Sequence, residues 1–441
     1  MNSDPRVVCK RKHLILLHWY NHYALPTFGF NMEDVSKQLT LEDCHTIVYN
    51  DTNEINAEVI SYEVIPFSDK VEGLLGQHFQ LHITFKIENN VKTNRYFLKL
   101  LNGSSKVIFE ICMSVNAYEK EVFFYNVLLK EFRQFNLDTG FVPRCYFNKP
   151  YLIVLEDMSL KNYSPTGSID LSVDYCKDAL KTVAKLHSCS LLYEHAKSKE
   201  LNKSFNLINK YPKILRDYFF VKEENFGKEW LRKSLEGIVE LIKIIPENHI
   251  KNEDFNDRFI KFVDRMEGIE TSFNNHTQTV LHGDLWYNNF LFRNDGGISD
   301  SVLLDFQIIK YGPPTIDVMN FLFCNTRKKF RDAHSDELFD FYYKCVKENL
   351  MKHQYCDIPS KTKYLVLSTD LKVLIKLLCL CDRTITLMVD HDAVFETDEN
   401  LRTYLLDERT INLLKTFKND EAFREVIEED LFELRDLLFE E

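Results

Sequence analysis

The segment Leu281-His282-Gly283-Asp284-Leu285-Trp286-Tyr287-Asn288-Asn289-Phe290, with Leu303-Leu304-Asp305-Phe306-Gln307 after it, constrains this chain more than any other stretch. Asn289 follows Asp284 by five residues, and sixteen further on an apolar run closes on Asp305. Phosphoryl transfer asks little covalent chemistry of a protein. It needs oxygen ligands for magnesium, a carboxylate for the acceptor's hydroxyl proton and a cation on the nucleotide phosphates. Asp284 fits the carboxylate, and Asn289 with Asp305 fit the metal ligands, because magnesium takes hard oxygen donors and keeps several waters. The plain alternative is a loop and hairpin with three polar residues at accidental spacings. A bare His-Gly-Asp would not displace it; the triplet, the Asn offset and the strand capped by Asp-Phe-Gln together favour the catalytic reading.

Lys99 supplies the cation, sitting within the apolar run Tyr96-Phe97-Leu98-Lys99-Leu100-Leu101. A buried ammonium needs a partner. Downstream, a helix is predicted from Asn116 to Phe132, with Asn116 and Glu119 as a capping box. Tyr118, Val122, Tyr125, Leu129 and Phe132 share its apolar face, Glu121 lies at the edge, and Glu119 and Lys120 point away. A Lys99–Glu121 pair would hold the ammonium on the α- and β-phosphates. Lys99 on the solvent face of an edge strand is the alternative, for which Lys92 and Arg95 leave room.

Gly73 and Gly76, in Val71-Glu72-Gly73-Leu74-Leu75-Gly76-Gln77-His78, allow a tight turn whose amides approach phosphate, or an ordinary hairpin turn. The stretch is neither Gly-x-Gly-x-x-Gly nor a Walker A loop. Glu156, Asp157 and Met158 end the strand Tyr151–Leu155 and read as a connector between lobes, giving backbone hydrogen bonds to adenine. His282 reads as an orienting residue. Asp317, opening a helix after Gly312-Pro313-Pro314, reads as a brace that accepts amides from the catalytic loop. Trp286 and Tyr287 either line the acceptor pocket or pack.

A chain of 441 residues exceeds one small core and suggests more than one lobe. Its net charge of −12 argues against nucleic acid as a partner, which needs a clustered basic surface. The eleven cysteines lack zinc-site spacing, including Cys379/Cys381 and the His187/Cys189 pair, so buried free thiols in a reducing compartment are expected. No apolar run reaches the roughly 18 residues that span a bilayer. Lys10-Arg11-Lys12 before Leu14-Ile15-Leu16-Leu17 lacks a small-residue cleavage site and reads as a structural segment of a cytoplasmic protein.

Strands are predicted at Ala57–Phe67, Phe79–Glu88 and Arg95–Leu101, with a turn at Asn89-Asn90. Helical patterning dominates from about residue 172, apart from residues 280–320. A long helix is predicted to open near Tyr364, and an acidic amphipathic helix to run from Glu421 to Phe439. The expected fold is α+β: a helical extension over 1–55, a small β-rich N-lobe over 56–157 that binds nucleotide, and a large helical C-lobe over 158–441 that carries the metal site and acceptor pocket.

Over about residues 65–325 the chain resembles the ecdysteroid kinase-like family, a choline-kinase-related branch of the protein-kinase-like fold. The resemblance rests on Gly-Leu-Leu-Gly-Gln-His at 73–78, Tyr-Phe-Leu-Lys ending at Lys99, the Tyr-Glu-Lys-Glu-Val-Phe-Phe-Tyr around Glu121 and Leu-Ile-Val-Leu-Glu-Asp-Met at 152–158. The catalytic segment, Leu-Asp-Phe-Gln and Tyr-Gly-Pro-Pro-Thr-Ile-Asp complete it. Gln77-His78 departs from the small residues the family prefers before the second strand. The resemblance implies an ATP- and magnesium-dependent kinase of small hydroxyl compounds, ecdysteroid 22-hydroxyl phosphorylation being the named activity and detoxification a wider role. It implies Lys99 and Glu121 for nucleotide, Asp284 as catalytic base, and Asn289 and Asp305 for magnesium.

Apart from any family, only four residues separate Gln307 from Gly312-Pro313-Pro314, and no Ala-Pro-Glu follows. Gly283 replaces the Arg that reads a phosphorylated segment. The platform for a peptide substrate is therefore missing, which argues for a small acceptor; taken with the resemblance, the expected partner is a small, apolar alcohol. Two other readings compete: a choline or ethanolamine kinase with an aromatic cage, and a non-catalytic nucleotide- or hormone-binding protein. The sequence sets no oligomeric state.

Overall fold

Period-2 patterning builds a five-stranded antiparallel sheet from β1 (Glu58–Pro66), β2 (Gly76–Ile87), β3 (Asn90–Leu101), β4 (Cys145–Lys149) and β5 (Leu152–Glu156), in the order β1-β2-β3-β5-β4. Leu81, Ile83 and Phe85 on β2 and Tyr96, Leu98 and Leu100 on β3 are buried against Cys44, Ile47 and Val48 of helix α1 (Leu41–Thr52). Each such side chain contributes about 1.5–3 kcal/mol. A one-residue slip would send all six to the opposite face, so the pattern fixes the register. That register sets Lys99 across from His78 on β2 and Ile153 on β5. Lys99 thereby belongs to the face that looks toward the helices.

The computed structural model describes residues 38–66, 76–101, 105–166, 170–218, 225–266, 276–295, 298–387, 394 and 397–440. Gly73 and the basic-apolar stretch near the N-terminus lie outside the described residues. Within the expected helical extension, α1 is opened by a capping box of Thr40 and Asp43. Four of the five strands correspond to the sequence reading, but β2 starts at Gly76, three residues before Phe79, β3 starts at Asn90, five before Arg95, the turn falls on Glu88-Asn89, and β4 was not expected.

The helix expected from Asn116 is built differently. Helix α2 (Lys106–Ser114) precedes α3 (Ala117–Phe123), and a π turn, Phe124–Leu128, leads into α4 (Leu129–Gln134). Asn116 is left-handed at φ 53 and makes no side-chain cap; its amide bonds Tyr218 Oη. There is thus no capping box: Asn116 is the N-cap residue of α3, but its backbone is left-handed and its side chain is committed to Tyr218. Lys120 does not point away either. It is 2% exposed, giving Nζ protons to the carbonyls of Ile309 at 2.7 Å and Arg216 at 3.2 Å. The helix is wedged between the sheet and the later chain, so more than one of its faces is buried.

The second part is helical, led by α5 (Val173–Leu201), and is interrupted by the sheets β6 (Thr279–Leu281) with β9 (Lys310–Gly312) and β7 (Phe290–Asp295) with β8 (Ile298–Leu303). Helices α6 (Thr315–Asn325), α7 (Thr369–Thr386) and α8 (Glu421–Phe439) follow. The long helix opens at Thr369 behind an N-cap Ser368, not at Tyr364, which lies buried in a separate one-turn helix. α8 has the predicted bounds. Its Phe423, Ile427, Leu431 and Leu434 are buried, and Asp430 pairs with Lys376 and Arg383 of α7 at 2.5 and 2.8 Å. The α+β expectation holds. The described cysteines are free and mostly buried, although Cys356 is exposed. Among the described residues, no helix is long and apolar enough to cross a membrane.

Candidate active site

Lys99 Nζ lies 2.9 Å from Glu121 Oε2 and 2.9 Å from Asp305 Oδ1. The sheet register aims it at α3, where helical spacing brings Glu121 inward. Burial disfavours the ammonium, but Asp305 and Glu121 outweigh burial and hold Lys99 above its ordinary pKa. Burial likewise raises Glu121, with Lys99 opposing, whereas Lys99 overcomes burial at Asp305 and keeps that carboxylate ionised. Gly76 packs beside this lysine: a Cβ there would lie 3.1 Å from Lys99 Cε.

Asn289 and Asp305 are brought together by the β7–β8 hairpin, which pairs Phe290 with Leu303. Immediately outside that pair, Leu304 N–H donates to Asn289 O at 2.9 Å. Asp305 then adopts φ 62, a left-handed conformation that Asp tolerates better than most residues. Phe306 stacks on Phe124 of the π turn at 3.6 Å between centroids and meets His282 edge-on at 4.8 Å. The helix carrying Glu121 is thus clamped to the segment carrying Asp305.

Asp284 sits on a loop braced from several sides. The Asp317 carboxylate accepts the amides of His282 at 2.7 Å and Gly283 at 3.0 Å, and meets His187 Nε2 at 3.0 Å. His282 is buried. Its Nδ1 takes the Asp284 amide at 3.3 Å, so Nε2 carries the proton given to Leu304 O at 2.8 Å. The ring is therefore neutral, in line with the downward push on its pKa from burial. Asn320 Oδ1 accepts Leu285 N–H at 2.9 Å, and Asn325 Nδ2 donates to Leu285 O at 2.7 Å. His282 and Asp317 thus both contact the backbone of the segment that carries Asp284.

Burial, then Asp382 and Asp305, push the Asp284 carboxyl up to about 8, close to the pH at which a general base works best. Asn289 Nδ2 donates to Asp284 Oδ2 at 2.9 Å and to Asp284 O at 2.8 Å. With its nitrogen facing Asp284, Asn289 turns its amide oxygen elsewhere. That oxygen and the Asp305 carboxylate are two hard donors. Two hard oxygen donors suit a cation that keeps waters and phosphate oxygens, as magnesium does.

At the connector, Asp157 pairs with Arg95 Nε at 2.5 Å and caps Ser159 N–H at 3.0 Å. Glu156 pairs with Lys161, and its N–H is given to Arg144 O at 2.8 Å. That amide is therefore not free for a base. Met158 starts the one-turn helix Met158–Lys161. Trp286 and Tyr287 meet edge-to-face at 5.4 Å beside Asp284. Asn320, Asn325 and Asp382 were missed in the sequence. They reach the loop only through tertiary packing, and no local spacing marks them.

The sequence model of the ecdysteroid kinase-like family matches residues 70–355, well over half of the chain. Among solved structures, an ethanolamine kinase of Plasmodium vivax is 15% identical with a TM-score of 0.37, covering 97% of each chain. The choline kinase LicA of Streptococcus pneumoniae is 13% identical at a TM-score of 0.34, covering 84% of this chain and 99% of its own. A microcompartment-associated aminopropanol kinase is 11% identical at 0.38, covering 87% and 99%. No curated protein matches the chain.

Proposed function

The chain belongs to the ecdysteroid kinase-like family and is a small-molecule phosphotransferase; on that premise we propose that it moves the γ-phosphoryl group of ATP, with magnesium, to a hydroxyl of a small, apolar alcohol of the ecdysteroid or xenobiotic kind. The observation that carries this reading is the Lys99 ammonium bridging Glu121 and Asp305 while Asn289 tethers Asp284 to the same hairpin. In this reading Lys99 holds the α- and β-phosphates, Gly76 leaves room for its side chain, and Met158 and Glu156 flank the base. Asn289 and Asp305 would hold a magnesium ion, which would neutralise phosphate charge. Asp284 accepts the acceptor's hydroxyl proton as its oxygen attacks phosphorus and ADP leaves.

His282 and Asp317 act on Asp284 indirectly, by fixing the loop. Trp286 and Tyr287 offer an apolar wall to the acceptor. ADP release over a panel of ecdysteroids, plant-derived alcohols and choline tests the proposal, with Asp284→Asn as control. A steroid or xenobiotic alcohol should turn over and the variant should lose about 10²–10⁴ in rate while still binding ATP. Turnover of choline alone would redirect the acceptor to a quaternary ammonium. Undiminished turnover by Asp284→Asn would remove Asp284 from the chemistry.

A further inference from the structure

A cavity of about 670 Å³ opens beside the connector, and none of Lys99, Glu121, Asp284, Asn289 or Asp305 lines it. Its wall carries four cations, Arg133, Arg144, Lys161 and Arg293, against one carboxylate, Glu156. This is a local excess of positive charge in a chain whose net charge is −12. Glu156 is already committed, to Lys161 and to the Arg144 amide at 3.3 Å. Asp300, cross-strand from Arg293, accepts the Tyr163 hydroxyl at 3.2 Å.

Among the described residues, the three guanidinium groups therefore face the cavity with neutral partners or none. Arg133 Nε donates to Thr139 Oγ1 at 3.0 Å, and Arg144 Nη2 to Asn50 O at 2.8 Å. Arg293 lies over the Tyr163 ring at 5.1 Å, and its buried Nε has no hydrogen-bond partner among the described residues. Like charges gathered around one cavity repel, and an unsatisfied buried donor carries a desolvation cost. Arg133 is exposed as a residue, but partial desolvation of its guanidinium and the neighbouring Arg144 both depress its pKa. An anion would relieve all of these. Guanidinium forks match phosphate oxygens in pairs, and the volume falls in the roughly 300–1,000 Å³ range of small-molecule sites.

We propose that this cavity binds a small phosphate-bearing molecule, its phosphoryl group held by Arg133, Arg144 and Arg293 and its organic part against Tyr163 and Val302. Those two apolar residues are buried in one cluster with Met158, which the nucleotide reading assigns to the base. The site reaches the connector through Glu156, whose N–H donates to Arg144 O at 2.8 Å. On the nucleotide reading the two ligands would sit on either side of Glu156, so occupancy of one is expected to alter the affinity for the other, reciprocally. The coupling rests on the nucleotide reading above; the binding does not.

Titration calorimetry on the full chain with inorganic phosphate, and separately with glycerol phosphate, tests it. Wild type should bind one equivalent saturably, and an Arg133→Gln/Arg293→Gln double variant should bind about tenfold more weakly or worse. Arg133 is exposed, so Arg133→Gln alone provides a second variant that keeps the fold, verified by its melting curve. Tighter glycerol phosphate binding assigns the site to an organic phosphomonoester, and equal affinity assigns it to free phosphate. Binding should persist, with altered affinity, when a non-hydrolysable ATP analogue and magnesium saturate the protein. If the analogue does not bind, the nucleotide reading fails while the arginine variants still decide this one. Folded arginine variants that bind phosphate like wild type, or competitive loss of phosphate binding to the analogue, would overturn the proposal.

Discussion

Oδ1 of Asp305 stands 2.9 Å from Nζ of Lys99, 206 positions earlier in the chain. This contact ties the sheet to the segment after β8. The same ammonium also meets Glu121, so one buried cation serves two carboxylates. Phosphates arriving beside it would meet an ammonium already desolvated and aimed.

Lys99→Met should weaken ATP binding and destabilise the fold by about 3–5 kcal/mol, the cost of stripping one partner from a buried ion pair. The lower end is expected, because the Asp305 side chain is 35% exposed. Without the ammonium, the upward push on Glu121 from burial and Asp305 is opposed only by the Phe306 amide. A carboxyl whose folded pKa lies above its unfolded value stabilises at low pH, and that contribution is lost as pH rises through the folded pKa. Urea unfolding should therefore show a larger deficit at pH 8 than at pH 5. An equal deficit at both would mean that Glu121 does not depend on Lys99.

Asp382→Asn should lower the pKa of Asp284. Burial is the largest cause of its upward displacement to about 8, and Asp382 is the next, ahead of Asp305. A base must be deprotonated to act, so kcat/KM rises with pH through the base's pKa. The acidic limb of the pH profile should move to lower pH in the variant. A limb that stays in place would show that Asp382 does not act on Asp284.

Much of the candidate site was legible because short-range spacing governs it. A hairpin pairing Phe290 with Leu303 must bring the backbones of Asn289 and Asp305, sixteen positions apart, close together, and helical periodicity singled out Glu121. Lys120, one residue away, was misjudged. A single-face pattern cannot show that a helix is packed on more than one side, and the left-handed Asn116 sets its phase. Tyr364 looked like a helix start because it continues the apolar pattern, although Ser368 carried the real N-cap signal. Asn320, Asn325 and Asp382 act on the loop from helices 35 or more residues downstream. Only the packing of α6 and α7 brings them there.

Lys120 makes stability depend on pH. Burial pulls its pKa from 10.5 down to about 7. Between those values the unfolded chain holds a proton that the folded chain has released, so stability rises with pH across that window. The slope from this one group is at most about 1.4 kcal/mol per pH unit. Lys120→Met should flatten the rise in unfolding free energy between pH 7 and 9, as read from chemical denaturation. A slope identical to wild type would show that Lys120 is charged in the fold, its ammonium sustained by the carbonyls of Ile309 and Arg216 and by Asp217.

Gly283→Ala should impair turnover more than ATP binding. Gly283 adopts φ +87, and a Cβ there would lie 2.7 Å from Ile308 O, a backbone atom that cannot swing aside. Left-handed strain alone costs on the order of 1–3 kcal/mol, and the clash adds to it. The loop's escape is to pull away from β9, which would loosen the two amides held by Asp317 and displace Asp284, the next residue. Lys99, Glu121 and Asp305 lie on other elements and keep their geometry. The kcat should fall by about 10²-fold, as a misplaced catalytic group implies, with Kd for ATP within a few-fold of wild type. If ATP affinity falls as far as kcat, the loop and the phosphate cradle form a single unit.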